Sequence, residues 1–204
     1  DIATSLYGES GDDELYGNSA SNILDGGSGS DLIVGAAGED VISGGTGDDT
    51  ISAGSGDDAV AGDSGADIIT AGSGDDIILG GSGDDTIRGD TDDDAITGGL
   101  GNDILDGGAG DDIAIYAGNM ADYKIDVGVS GINRITDLNA EDGDEGVDVL
   151  SNVETARFAD GELTVTQDAD GEVRVNTYPS YEQNTPSITN LANGNYVVTW
   201  ADSS

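Results

Sequence analysis

Neither cysteine nor histidine occurs in the 204-residue chain. Without cysteine there is no disulfide framework and no thiolate metal site. Without histidine there is no zinc site of the usual imidazole type, no histidine acid–base chemistry and no catalytic triad. Basic residues are nearly missing too: 5 Lys and Arg stand against 43 Asp and Glu, for a net charge of -38. Such a surface repels phosphate, which excludes nucleic acid and an acidic membrane surface as partners and leaves cations as the natural ones. Aromatics make up 4% of the residues, and no apolar run approaches the length that spans a bilayer. The opening DIATSLYGES has no basic region followed by an apolar core, so no signal peptide is visible. The closing NYVVTWADSS stops just after a strand-like run, and the chain is read as a fragment of something larger.

High charge with little large apolar side chain ordinarily predicts disorder. What is present argues otherwise. A nine-residue period runs without insertion over residues 8–115, giving twelve units: GESGDDELY, GNSASNILD, GGSGSDLIV, GAAGEDVIS, GGTGDDTIS, AGSGDDAVA, GDSGADIIT, AGSGDDIIL, GGSGDDTIR, GDTDDDAIT, GGLGNDILD and GGAGDDIAI. Position 6 is Asp in eleven units, the exception being Asn22, and position 8 is Leu, Ile or Val in eleven, the exception being Ala114. Gly fills position 1 in ten units and position 4 in ten. Fixed periods of this kind signal a solenoid.

Each position has a physical reason. Glycines at positions 1, 2 and 4 permit positive φ and close backbone approach. Positions 7–9 predict a three-residue strand whose faces alternate, with position 8 inward and positions 7 and 9 outward. Two units make one coil of turn, strand, turn, strand, and coils stack into a flattened right-handed solenoid with unit n above unit n+2. The inward side chains are a thin core for so much glycine, and stacked carboxylates repel one another. A hard, oxygen-seeking cation relieves both problems. Calcium accepts six to eight oxygens from carboxylates and carbonyls at variable geometry, whereas magnesium demands a tighter octahedron. Successive carbonyls of an extended turn point to alternate sides, so a loop offers positions 1, 3 and 5 to one side and 2, 4 and 6 to the other. Two columns of six loops leave room for up to about ten ions.

GGSGSDLIV, GGTGDDTIS and GGSGDDTIR match the GGxGxDxUx nonapeptide, and on them the chain resembles the RTX (repeats-in-toxin) family of haemolysin-type calcium-binding proteins. The resemblance implies an all-β parallel β-roll, type I secretion, and a chain that stays unfolded in the low-calcium cytoplasm and folds outside. It implies the ligand pattern above, with the position-6 carboxylates as chief side-chain ligands: Asp13, Asp31, Asp40, Asp49, Asp58, Asp67, Asp76, Asp85, Asp94, Asp103 and Asp112. Beside them stand the position-5 residues Asp12, Asp48, Asp57, Asp75, Asp84, Asp93, Asn102 and Asp111. The position-2 and position-4 glycines complete the expected set: Gly27, Gly29, Gly45, Gly47, Gly54, Gly56, Gly72, Gly74, Gly81, Gly83, Gly99, Gly101, Gly108 and Gly110.

Two units depart from the pattern. In GNSASNILD, Ala20 and Asn22 replace Gly and Asp, so a weak or one-sided site is expected. In GDTDDDAIT, Asp90 and Asp92 replace glycines; the turn is expected to be strained or remodelled, yet still to bind.

Residues 1–7 are a lead-in and 8–115 the roll. Residues 116–166 are a β-rich cap, in which DVLSNVETARFADG is similar to segments that close RTX arrays. The acidic loop residues Glu141, Asp142, Asp144, Glu145 and Asp148 are read equally as a further calcium site or as a solvated loop. Residues 167–204 resemble the opening of a repeated unit of large bacterial surface proteins, with VRVNTY and NYVVTW as strands and a turn at Asn193–Gly194. Position-7 side chains Leu32, Ile68, Ile77, Ile104 and Ile113 are outward and apolar, a scatter that needs no partner.

Three functions compete. The first is a calcium-dependent folding and export module of a secreted or surface protein, partnered by the rest of its parent polypeptide. The second is a non-catalytic module of a secreted protease, lipase or alginate epimerase, since the chain has no HExxH and no GxSxG of its own. The third is a stiffening or ligand-displaying segment of an adhesin, with a cell-surface or glycan target unknown. Regular Thr and Asn ranks, which an ice-binding face needs, are missing: position 3 is mostly Ser, with Thr46 and Thr91 isolated.

Overall fold

The computed structural model describes residues 2–128, 131–139, 143, 145–167, 173–179, 187–190 and 196–199. Two short strands begin it, β1 (Ser5–Tyr7) and β2 (Glu14–Tyr16). Ten longer strands follow at nine-residue intervals: β3 (Ile23–Ser28), β4 (Leu32–Ala37), β5 (Val41–Thr46), β6 (Thr50–Ser55), β7 (Ala59–Ser64), β8 (Ile68–Ser73), β9 (Ile77–Ser82), β10 (Thr86–Thr91), β11 (Ala95–Leu100) and β12 (Ile104–Ala109). The series closes with β13 (Ile113–Ile115). Among the described residues there is no α-helix, only a 3-10 turn at Met120–Asp122.

Odd strands pair with odd and even with even, in parallel and eighteen residues apart. Thr50, for example, lies between Leu32 and Ile68. The result is a parallel β-roll: two sheets face each other, and each pair of units supplies one coil. The position-8 side chains from Leu15 to Ala114 are all buried between the sheets. Position 7 faces outward, leaving Ile68, Ile77 and Ile104 about half exposed.

The strands are longer than the three residues expected from the sequence. Ile23, Leu24 and Asp25 pair with Val41, Ile42 and Ser43; the ladder skips Gly26, then resumes with Gly27 and Ser28 on Gly45 and Thr46. Positions 2 and 3 are therefore ladder residues, and the turn proper shrinks to positions 4–6. Position 1 is an inward corner, not a site of positive φ. Ala53 and Ala71 occupy it fully buried, and positive φ is confined to positions 2 and 4 of the repeats.

The chain does not leave the ends of β12 and β13 bare. β14 (Tyr123–Gly128) and β15 (Gly131–Asp137) form an antiparallel hairpin, and β16 (Val147–Ser151) then pairs antiparallel with β15 and parallel with β12. β17 (Thr155–Phe158) adds in parallel to β13, and β18 (Gly161–Gln167) and β19 (Val173–Pro179) extend that sheet antiparallel. β20 (Ser187–Asn190) and β21 (Tyr196–Thr199) pair with each other, and β21 with β14. The Tyr116, Tyr123 and Phe158 rings, with centroids 5.1–5.6 Å apart, close the apolar core at this end. The turn expected at Asn193–Gly194 lies outside the described residues.

Candidate metal centre

Position 6 precedes each strand, and its side chain turns inward at the edge of the roll. Asp31, Asp40, Asp49, Asp58, Asp67, Asp76, Asp85, Asp94, Asp103 and Asp112 are all buried, at no more than 3% exposure; only Asp13, on the first rung, is half-buried. From Asp31 onward each carboxylate does the same thing. Its Oδ1 accepts the amide N–H of the position-6 residue one rung below, at 2.7–3.0 Å. Its Oδ2 is buried with no hydrogen-bond donor, and the same holds for Asp13 Oδ2, making eleven such oxygens. Buried polar atoms are ordinarily satisfied, so an orphan repeated eleven times in register indicates a missing electropositive partner.

Backbone oxygens converge on the same gaps. A β-carbon on Gly44 would collide with Asp49 Oδ2 of its own loop and lie 2.8 Å from the Gly62 carbonyl oxygen of the next rung. Position-1 carbonyls therefore point down the column. Position-3 carbonyls do likewise, as Thr46 O accepting from Gly29 N at 2.8 Å shows. Positions 2 and 4 point up: a β-carbon on Gly45 would strike the Gly27 oxygen, and one on Gly47 the Gly29 oxygen. No three His, Cys, Asp or Glu side chains converge as a metal cluster among the described residues. What each gap offers an ion is the unpartnered position-6 carboxylate oxygens together with backbone carbonyls, a hard, neutral-rich oxygen set that fits calcium.

Position 5 behaves differently. Asp12, Asp48, Asp57, Asp75, Asp84, Asp93 and Asp111 are exposed at the outer rim. Where their hydrogen bonds are formed, they reach up the column: Asp12 Oδ1 accepts from Ser30 N, Asp48 from Ala66 N and Asp84 from Asn102 N, each at 2.9 Å. Asp57, Asp75 and Asp93 accept from Asp75, Asp93 and Asp111 at 2.9–3.1 Å.

The unit with the two extra aspartates keeps its place in the ladder. Asp90 and Asp92 adopt φ of +81° and +78°, and Asp90 pairs with Gly72 and Gly108. The turn keeps the glycine conformation and is not remodelled. Asn22 stands apart: its Oδ1 accepts from Asn18 N of its own loop at 2.7 Å.

The sequence reading missed two further rungs. Val149 and Leu150 align with Ile104 and Leu105, which places Asp148 at position 6, and its Oδ1 accepts from Asp103 N at 3.0 Å. Val147 N donates to Asn102 Oδ1 at 3.2 Å, as a position-5 amide does. Residues 143–151, GDEGVDVLS, are thus a thirteenth nonapeptide set apart by the insertion that carries the hairpin. Glu154 follows in the other column, accepting from Asp112 N at 3.1 Å. Asp148 differs from the roll in one respect, because its Oδ2 accepts the Tyr116 hydroxyl at 2.9 Å. Glu145 accepts the Tyr123 hydroxyl, while Glu141, Asp142 and Asp144 lie outside the described residues.

Burial raises the position-6 acids from Asp40 to Asp112. Asp58, Asp67, Asp76 and Asp112 are pushed up to about 6, and Asp85 and Asp94 to about 7, chiefly because the interior disfavours the charged form. The amide from the rung below pulls each of them back, and neighbouring carboxylates push upward. A cation in the gap would supply the compensation that keeps them ionised.

The family model of the RTX calcium-binding nonapeptide repeat (four copies) matches residues 3–33, 25–60, 34–69, 53–87, 62–95 and 79–114, which together run over more than half of the chain. The chain belongs to this family. Its RTX roll is a calcium-binding module and a structural rather than a catalytic unit. Comparison with curated proteins finds no match. Among the described residues no helix is long and apolar enough to cross a membrane.

Proposed function

We propose that this chain is a calcium-triggered folding module of a protein that works outside the cell. The supporting observation is the ladder of eleven position-6 carboxylates, each with one buried and unpartnered oxygen. In the low-calcium cytoplasm these acids repel and the chain stays extended, a form suited to export. At extracellular calcium, Asp31 to Asp112 and the carbonyls of positions 1 to 4 would hold up to about ten ions between rungs. Bound calcium offsets the carboxylate charge and ties each loop to the next. Residues 116–166 act as the cap, which the paired β16 and β17 support, and residues 167–204 begin a following unit.

Within its parent the roll serves as a folding and export module, and the enzyme-appended and adhesin contexts are the alternatives. No described residue favours either.

The test is a titration of the calcium-stripped chain, followed by far-UV circular dichroism and hydrodynamic radius, with magnesium as control. A cooperative compaction at about 10⁻⁴–10⁻³ M calcium is expected, the range of extracellular calcium modules. A stripped chain already compact and indifferent to calcium overturns the reading.

A further inference from the structure

The position-5 acids carry chemistry that the ligand ladder does not use. In one column position 5 reads Asp12, Ser30, Asp48, Ala66, Asp84 and Asn102. A carboxylate therefore stands on every second rung. Each of the three carboxylates accepts the position-5 amide of the rung above at 2.9 Å. That amide shares its peptide group with the position-4 carbonyl. Asp12 thus grips the Gly29–Ser30 peptide, Asp48 the Gly65–Ala66 peptide and Asp84 the Gly101–Asn102 peptide.

The carbonyl on the far side of each gripped peptide aims into the next gap. β-Carbons on Gly47, Gly83 and Gly146 would collide with the Gly29, Gly65 and Gly101 oxygens respectively. A carboxylate accepting from an N–H fixes that peptide plane. It also polarises the carbonyl of the same peptide, since linked hydrogen bonds strengthen one another. Ser30 and Ala66 bring no carboxylate to the peptides above them, so the Gly47 and Gly83 oxygens lack this support.

We infer that the position-5 acids are positioning residues: each tunes the cation affinity of the gap one rung beyond its own by holding the position-4 carbonyl that faces it. This rests on the calcium reading above. Along this column the gaps alternate, those faced by the Gly29 and Gly65 oxygens strong and those faced by Gly47 and Gly83 weak. The charge is not what does the work. Asn102 already plays the same part with a neutral oxygen, accepting from Val147 N at 3.2 Å.

The experiment compares the full chain with Asp12→Ala/Asp48→Ala, Asp12→Asn/Asp48→Asn and Ser30→Asp/Ala66→Asp variants. Calcium release into excess fluorescent chelator is followed by stopped flow, and bound calcium is counted by equilibrium dialysis. One hydrogen bond of about 1 kcal/mol corresponds to about fivefold in affinity. The Ala pair should release two ions about fivefold faster, the Asn pair should release as the parent does, and the Asp additions should slow two ions. If the Ala pair releases like the parent, the acids do not position the carbonyls. If the Asn pair falls with the Ala pair, surface charge and not the hydrogen bond is responsible. Either result overturns this inference while leaving calcium-driven compaction of the parent intact. A parent chain that fails to compact points instead to failure of the calcium reading.

Discussion

Asp49 accepts the amide of Asp31 through Oδ1 at 2.7 Å, while its Oδ2 is sealed from solvent with no donor in reach. One carboxylate thus does two jobs. The first oxygen satisfies a backbone group that would otherwise be buried unpaired, and the second is left for a cation.

Separating those jobs is possible at Asp67, whose Oδ1 takes the Asp49 amide at 2.8 Å. Asp67→Asn keeps a neutral acceptor but removes the anionic oxygen. It should raise the calcium midpoint and lower the bound calcium counted by dialysis, with magnesium still inactive. Asp67→Ala should do the same and in addition destabilise the saturated form by about 1–3 kcal/mol, because the Asp49 amide loses its partner. Equal denaturation midpoints for the two variants at saturating calcium would show that the amide contact is immaterial.

The raised acids give the stripped chain a definite pH response. Their folded values of about 6 (Asp58, Asp67, Asp76, Asp112) and about 7 (Asp85, Asp94) lie above the unfolded value of 3.8. The rolled form therefore binds more protons than the unfolded chain, and the stability this contributes is complete below the unfolded value and lost as pH rises through about 7. In chelator, acidification from neutral pH should favour compaction. With calcium present, protons compete, so the calcium midpoint should rise as pH falls below about 6. Circular dichroism across a grid of pH and calcium checks both, and a midpoint independent of pH would contradict the buried-acid picture.

Glycine demands differ by position. Gly47 sits at φ +119°, and an added β-carbon would strike the Gly29 carbonyl oxygen. Gly47→Ala should cost at least about 1–2 kcal/mol. Ala36 is held at φ +86°, so Ala36→Gly should stabilise by roughly 0.5–1 kcal/mol through relief of that strain. Thermal unfolding at saturating calcium should move in opposite directions for the two variants.

At the far end Tyr116 supplies what a cation supplies elsewhere, donating to Asp148 Oδ2 at 2.9 Å. Tyr116→Phe leaves that buried oxygen without a donor and should cost about 1–3 kcal/mol at saturating calcium. Hydrogen exchange should locate the loss in β16 and the end of β12. Unchanged protection there would mean the hydroxyl contact carries no stability.

The roll was legible in the sequence because the units repeat the same backbone demand, so the Asp31 and Ile33 positions each announce themselves in eleven of twelve units. Strand length was not legible. Gly27 and Ser28 read as turn residues, yet eighteen residues on, Gly45 and Thr46 offer them ladder partners that no local signal reveals. The position-5 acids are read as ligands by residue type; that they accept the amide of the rung above, as Asp12 does from Ser30 N, is a long-range contact no local signal reveals. Asp148 stood out only as part of an acidic loop, its place as a position-6 rung hidden by the hairpin inserted ahead of it; reading GDEGVDVLS against the nonapeptide, rather than continuing the unbroken frame, is the signal that finds it.

The strand residues of the roll pair with counterparts eighteen positions away, so the inter-strand bonds lie along the roll's long axis. A pull applied between its two ends loads those bonds lengthwise and in series, so every coil carries the same tension and the weakest yields first. Each coil lost frees eighteen residues, about 60 Å of slack when drawn straight. Under tension the roll would let out chain in equal lengths, and calcium tying loop to loop would set the force at which each coil gives.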